Sequence, residues 1–296
     1  MKRPSILIIT DLEGVSGVNN FNDYCVPSGY RNKDACRNLT EEVNAVCRGC
    51  FDGGFATVVV FDGHGSGGSI LWDCLDRRAY LQRGRPYGFC FPKGEYNAIA
   101  FVGQHAKAGS KHAQLAHTQT QEAVDFRLNG VSIGEYGQLA ICAADSGIPT
   151  IFASGDLALT LEATALTPNV SVVPVKEGLN DAPTDIDYPV TTFFDAHSAV
   201  LHYPPKSTLE KMYDSSKEVA VAFLHNKRQF DLAFPLVPPF IAQSEYRAGF
   251  SRVKSGEWLP KRRITTAPFD TPGEALNDFY RHHEWSFPDG INSVEL

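Results

Sequence analysis

The sequence has no long apolar run. Its N-terminal stretch is apolar for only about five residues before Asp11, which is too short for the apolar segment of a signal peptide or for a membrane span. We therefore expect a cytoplasmic protein. At 296 residues the chain is long enough for one large or two ordinary domains.

Positive charge is also scarce. The 27 Lys and Arg residues are outnumbered by 34 Asp and Glu residues, which gives a formal net charge of -7. Acids and bases are interspersed, and no basic stripe is present that could neutralise a phosphate backbone. We therefore expect neither nucleic acid nor a membrane as a partner.

The cysteines do not form a disulfide or zinc-finger pattern. There are seven, an odd number, and Cys47–Cys50 is not accompanied by a second Cys-x-x-Cys pair. Cys47 and Cys50 belong to a stretch whose apolar residues repeat at helical spacing, so both thiols are expected to be reduced and to face the core. The metalloprotease motif His-Glu-x-x-His is absent, and the glycines of residues 63–68 lack the spacing of a dinucleotide fingerprint.

Strand-like and helix-like segments alternate over the first 180 residues. The pattern predicts strands at 5–10, 57–61, 98–103 and 150–153, helices at 38–51 and 136–144, and a hairpin at Asn129-Gly130. This alternation predicts an α/β fold with a largely parallel sheet flanked by helices.

A proline-rich polar segment, residues 174–189, suggests a domain boundary. We expect an α/β metal-binding catalytic domain over residues 1–180. A smaller α+β C-terminal domain over residues 181–296 would close over the site or form an oligomer interface. In this second half, 196–203 and 209–224 are predicted helices, and Thr271-Pro272-Gly273-Glu274 is typical of a helix start.

Acids and histidines follow the predicted strands. Asp11 and Glu13 follow the first, Asp62 and His64 the second, and His105 the third. In an open parallel sheet these carboxyl ends share one edge, where ligands bind. Glu135, between a predicted strand and a helix, is a further candidate; it could instead only stabilise the helix N-terminus.

The combined set of Asp11, Glu13, His64, His105 and Glu135 contains three carboxylates, two imidazoles and no thiolate. Such ligands suit zinc, manganese or cobalt, and a carboxylate can bridge two such ions about 3.5 to 4 Å apart, with Asp11 as the natural bridge. Two divalent cations would explain why two acids follow a core strand. A metal-bridging hydroxide would then be the nucleophile of a hydrolase.

Hydrolysis also requires a group that transfers protons or stabilises the developing negative charge. His117, in the polar segment Leu115-Ala116-His117-Thr118, is the candidate catalytic residue, and His112 is a rival.

Seven separate blocks of the sequence resemble, in order and spacing, motifs of the M55 family of metallopeptidases, which contains D-aminopeptidases. The blocks are T-D-L-E-G-V-S-G, T-E-E-V-N, V-F-D-G-H, V-G-Q-H-A-K-A, A-H-T, V-S-I-G-E-Y-G and A-S-G-D. The resemblance is strong from residue 5 to about residue 178 and colinear to roughly residue 280. The sequence departs from the family pattern at Gln104 and Tyr136, and neither departure changes a proposed ligand.

The resemblance implies two zinc ions per chain, held by Asp11, Glu13, His64, His105 and Glu135, with His117 catalytic. It also implies an aminopeptidase that hydrolyses short peptides or aminoacyl amides, with D-amino-acid specificity. The partners it implies are further copies of the chain in a homo-oligomer, a ring such as a decamer. Two alternatives stay open: another two-metal amidohydrolase or phosphoesterase, and a non-enzymatic peptide-binding α/β protein.

Overall fold

The computed structural model describes residues 3–85, 88–234, 236–250 and 257–283. Its strands are β1 Ser5–Thr10, β2 Thr57–Asp62, β3 Tyr80–Arg83, β4 Ala98–Gln104, β5 Ala123–Leu128, β6 Val131–Ser132, β7 Thr150–Asp156, β8 Ser171–Gly178, β9 Val200–His202, β10 Ala242–Tyr246, β11 Gly249–Phe250, β12 Trp258–Leu259 and β13 Arg262–Thr265. Its α-helices are α1 Asn32–Asp52, α2 Glu135–Asp145, α3 Leu157–Leu166, α4 Phe193–Ala196, α5 Pro205–Leu224 and α6 Pro272–His283.

A seven-stranded sheet in the order β3-β2-β1-β4-β7-β8-β9 forms the centre of the molecule. All neighbouring pairs are parallel except β8 and β9, which are antiparallel. The predicted fold class, an α/β fold with a largely parallel sheet, is therefore confirmed.

Helices cover both faces of this sheet, and the alternation of side chains along β1 determines which face each residue joins. Ile6 and Ile8 belong to a core that includes residues of α1 and α5. Leu7 and Ile9 belong to the core on the other face, which includes residues of α2 and α6. Every residue of β1 is buried, as expected for a central parallel strand.

A second, antiparallel sheet of four strands has the order β13-β10-β5-β6. Strands β5 and β6 form the predicted hairpin, and its two turn residues, Asn129 and Gly130, have φ values of 49° and 80°. Such left-handed values match the twist of a two-residue hairpin turn and favour asparagine and glycine.

The C-terminal half contributes to the large sheet as well as to the small one. The helix predicted over 196–203 is wrong in part, because Val200–His202 form β9 and pair with β8 at the sheet edge. The second predicted helix is α5, which starts four residues earlier than expected. Residues 235, 251–256 and 284–296 of the predicted C-terminal domain lie outside the described residues, and the division at residue 180 stays a prediction.

The expected helix start at Thr271 is confirmed. The Glu274 backbone N–H donates to Thr271 Oγ1 (3.2 Å), and the Thr271 backbone N–H donates to Glu274 Oε2 (3.2 Å), which is a reciprocal capping box. The cysteine prediction also holds: all seven thiols are free, and Cys47 and Cys50 are buried. Among the described residues, no helix has the length and apolar character needed to cross a membrane.

Candidate metal centre

The segments that follow β1 and β4 meet at the carboxyl edge of the large sheet. Strands β1 and β4 are parallel neighbours, so the segments that follow them, with Asp11 and His105, emerge side by side. The Asp11 backbone N–H donates to Val102 O (3.0 Å), and the N–H of Gly14 donates to Gly103 O (2.9 Å). A Cβ on Gly14 would lie 2.0 Å from Gln104 O, so only glycine permits this close approach.

His105 lies between two carboxylates. Its Nε2 is 3.5 Å from Asp11 Oδ2 and 3.4 Å from Glu135 Oε1, while its Nδ1–H donates to Ala106 O (2.9 Å). That hydrogen bond directs Nε2 at the carboxylates, the orientation of a metal-ligating histidine. Glu135 is the first residue of α2, where the helix N-terminus also favours its negative charge.

His64 contacts both Asp11 and Glu13. Its Nδ1 lies 3.0 Å from Asp11 Oδ1 and 3.1 Å from Glu13 Oε2, and only the contact with Asp11 is aligned as a hydrogen bond. Its Nε2–H donates to Cys25 O at 2.7 Å. The second ring nitrogen therefore fixes the orientation of the first, as in His105.

His117 stacks on His105, with ring centroids 4.0 Å apart. Its Nδ1–H donates to Leu115 O (2.8 Å), and its Nε2 is 3.8 Å from Glu135 Oε1. The structure thus brings all six predicted site residues to one place. By contrast, the rival His112 is an exposed residue near Asp181, and Asp62 accepts backbone N–H groups from residues 68–70.

In the described part of the chain, potential ligand atoms form two tight groups, with the atoms of each group within 4.8 Å of one another. One group has an atom from each of Asp11, Glu13 and His105, and the other has an atom from each of His105, His117 and Glu135. His105 is common to both groups. His117, expected to be catalytic, is therefore also close enough to Glu135 and His105 to act as a ligand.

The charges at the site perturb one another strongly. Burial alone would lower the pKa of His105, but Glu135, followed by the charge of Asp11, outweighs it and raises this pKa to about 10. Burial and then the charge of His105 lower the pKa of His117 to about 3, so the His117 ring is neutral. Burial raises the pKa of Glu13.

A divalent cation fits this donor set. Glu13 Oε2 and His105 Nε2 are both buried and find no hydrogen-bond partner among the residues that the structure describes. A buried polar atom in that state is costly unless something else satisfies it. Carboxylate oxygens and imidazole nitrogens without thiolates are the ligands of catalytic zinc and similar ions. The cluster therefore has the chemistry and the unsatisfied atoms of a metal centre.

Sequence reasoning did not identify the side chains that support this cluster. Gln104 Nε2 donates to Asp11 Oδ2 (2.7 Å), although Gln104 stood out only as a departure from the family pattern. Lys176 and Glu162 contact the backbone of the ligand-bearing segments. Both lie far along the chain from the residues they contact, so no local motif marks them.

Comparison with known proteins agrees with the geometry. The family model described as peptidase M55, D-aminopeptidase, matches residues 4–220. A D-aminopeptidase from Bacillus subtilis (strain 168) is 30% identical over 174 residues; the match covers 57% of this chain and 62% of that relative, less than two thirds of its length.

A solved structure also has this fold. It is described as the Zn-dependent D-aminopeptidase DppA from Bacillus subtilis, a self-compartmentalizing protease. It matches with a TM-score of 0.73 at 20% sequence identity, and the match covers 94% of this chain and 97% of that one.

Proposed function

The chain belongs to the M55 family of D-aminopeptidases, and we propose that it is a zinc-dependent aminopeptidase acting on short peptides or aminoacyl amides. The observation that carries the proposal is the convergence of Asp11, Glu13, His105 and Glu135 around buried, unsatisfied ligand atoms at one sheet edge. The similarity to D-aminopeptidase from Bacillus subtilis favours this chemistry, and with it a preference for D-amino acids, over hydrolysis of a phosphoester.

The proposed ligands are Asp11, Glu13, His64, His105 and Glu135. Their contacts support two ions: His64 Nδ1 lies close to Asp11 Oδ1 and Glu13 Oε2, whereas His105 Nε2 lies close to Asp11 Oδ2 and Glu135 Oε1. The two oxygens of Asp11 thus face different histidines, as those of a ligand shared by two ions would. When bound, the metal would supply a Lewis acid and lower the pKa of a water molecule.

In this proposal His117 acts as the general base and general acid. Because its Nδ1–H is held by Leu115 O, its Nε2 is the atom that can accept a proton and later donate it to the leaving amine. The free amino group of a substrate would find negative charge nearby, since the acids of the site are buried and close together. Burial also excludes water: the side chains of Asp11 and His117 are each only 9% exposed.

The solved relative is described as self-compartmentalizing, so we also propose that this chain forms a homo-oligomer, in a ring such as a decamer. Residues 181–296 would then provide subunit contacts. Enclosed active sites would restrict substrates to short peptides.

The proposal is tested by metal content. We expect about two divalent ions per chain in protein purified without chelator, measured by inductively coupled plasma mass spectrometry, and fewer in Asp11→Ala. D- and L-aminoacyl amides, a dipeptide and a phosphate ester would then be compared as substrates. A wild-type protein that holds no metal even after zinc, manganese or cobalt is added would refute the proposal.

A second measurement separates the two roles open to His117. His117→Asn should keep its metal, while turnover falls by roughly 10²- to 10⁴-fold, the usual contribution of a general acid or base. Metal loss in this variant would instead make His117 a ligand.

A further inference from the structure

Two charged side chains outside the proposed ligand set contact its backbone. Glu162 lies on α3 and Lys176 on β8, so both come from the unit that follows β7. Neither lies next to a ligand in the sequence. Each nevertheless bonds to main-chain atoms of the segments that carry the ligands.

Glu162 connects two of those segments through one carboxylate. Its Oε2 accepts the backbone N–H of Lys107 at 2.9 Å, and its Oε1 accepts that of Gly134 at 2.9 Å. Lys107 is two residues after His105, and Gly134 directly precedes Glu135. The carboxylate therefore fixes the separation between the segments of two proposed ligands.

Further contacts hold the same two segments. Lys107 Nζ donates to Ser132 Oγ (2.5 Å), which joins the segment after His105 to the segment before Glu135 a second time. Asp156 caps α3 by accepting the Leu159 N–H (2.7 Å), so the helix that carries Glu162 has a fixed start. Glu162 thus acts from a well-anchored helix.

Lys176 binds the backbone of the segment that carries Asp11 and Glu13. Its ammonium is fully buried and donates to Glu13 O at 2.5 Å and to Val18 O at 3.1 Å. Both carbonyls belong to the loop between β1 and residue 21. The buried ammonium therefore holds two points of this loop together.

Burying a lysine ammonium costs free energy of folding unless hydrogen bonds or opposite charges compensate for the lost hydration. We propose that Glu162 and Lys176 are positioning residues of the metal centre: Glu162 sets the His105 and Glu135 side, and Lys176 sets the Asp11 and Glu13 side. This inference rests on the proposed function. Neither residue touches the metal or the substrate; each acts through the backbone of the ligands.

The test measures metal affinity directly, by competition of zinc between the full-length protein and a chromogenic chelator. In E162Q one oxygen still accepts an N–H, but the amide group turns an N–H donor toward the other N–H. In K176M the stem remains and the donors are lost. We expect the dissociation constant of zinc to rise about 10- to 100-fold in each, the usual effect of losing a residue that orients metal ligands.

Matched controls remove the same charges elsewhere. Glu218→Gln and Lys211→Met change exposed residues of α5 and should leave the dissociation constant unchanged. Thermal unfolding is measured with zinc and with chelator, because a positioning role should reduce the stabilisation that zinc provides and not only the stability of the metal-free protein.

Wild-type affinity for zinc in both E162Q and K176M would overturn the inference, even if both variants were less stable without metal. If K176M does not fold, E162Q decides the outcome. Failure of the wild-type protein to bind zinc would refute the proposed function, and the inference with it, so the two failures are distinguishable.

Discussion

The seven-stranded sheet and the four-stranded sheet differ in where polar side chains can lie. In the large sheet, β1, β4 and β7 are buried along their whole length, because helices cover both faces. In the small sheet, β10 and β13 alternate between less and more exposed positions, as antiparallel strands with one wet face do. A polar side chain on the small sheet can face water, whereas one at the end of a large-sheet strand needs a partner.

This difference indicates where chemistry is concentrated. Glu245 on β10 pairs with Arg263 on β13 at the surface, where water can replace either partner. Asp11 and His105 are buried with other acids and histidines, and water cannot replace their partners. Function is therefore expected at the large sheet, where buried polar groups depend on one another.

The largest expected effect comes from removing a candidate ligand. His105→Ala should lower turnover of an aminoacyl amide by about 10³-fold or more, because several kcal/mol of charge stabilisation depends on the metal site. Glu245→Ala, which changes a partly exposed residue of the small sheet, should retain wild-type turnover. Steady-state kinetics on the two variants test this, and substantial activity in His105→Ala would contradict the proposed assignment.

Sequence patterns predicted the large sheet better than the C-terminal half. β1 has the predicted bounds of Ser5–Thr10, because an unbroken apolar run ends in acids. Val200–His202 formed a strand and not a helix because β8 offered an edge for pairing, which no local pattern reveals. Tertiary pairing thus overrode local propensity.

The same distinction applies to the site. Asp11, His105 and Glu135 could be grouped from sequence, since each follows or precedes a core element and parallel strands end at one edge. Lys176 and Glu162 could not, because they recognise backbone atoms 163 and 55 residues away. Any sequence can provide a backbone carbonyl or N–H, so such contacts leave no residue pattern to read.

Core packing should differ between the sheets by a smaller amount. Ile8 is fully buried among residues of α1 and α5, and Ile8→Ala should cost about 2 to 5 kcal/mol of unfolding free energy. Ile264 on β13 is only half-buried, so Ile264→Ala should cost less, about 1 kcal/mol. Urea unfolding of both variants measures the difference, and equal losses would mean that the two sheets are packed alike.

Glu42, a buried acid on α1, should make the stability of the protein depend on pH. Burial raises the pKa of Glu42 from 4.5 to about 7, although its Oε1 accepts the Ser16 N–H at 2.9 Å. Between these values the folded state holds a proton that the unfolded state releases, so stability falls as the pH rises through this window and stays lower above it. The loss is at most about 3 kcal/mol.

The Glu42→Gln variant has no titratable group at this position, so this pH dependence is lost. Urea unfolding of chelator-treated wild type and variant at pH 5 and pH 8 should show the variant gaining relative stability at pH 8. A stability difference that is the same at both pH values would show that Glu42 titrates normally. Groups that do not interact with Glu42 titrate equally in both proteins and cancel, so the comparison reports Glu42 together with Lys176, whose pKa the charge of Glu42 raises.

The smallest effect is expected from the ion pair between β10 and β13 of the small sheet. Arg263 Nε lies 2.7 Å from Glu245 Oε1, but the two side chains are 77% and 40% exposed. Exposed pairs of this kind contribute less than about 1 kcal/mol, and salt screens them. A double-mutant cycle of Glu245→Ala and Arg263→Ala should therefore give a small coupling free energy that shrinks further in 1 M salt, where the screening length is about 3 Å. A coupling that salt does not weaken would show that this pair is shielded from water, and the contrast between the sheets would then rest on packing and not on access of water to polar groups.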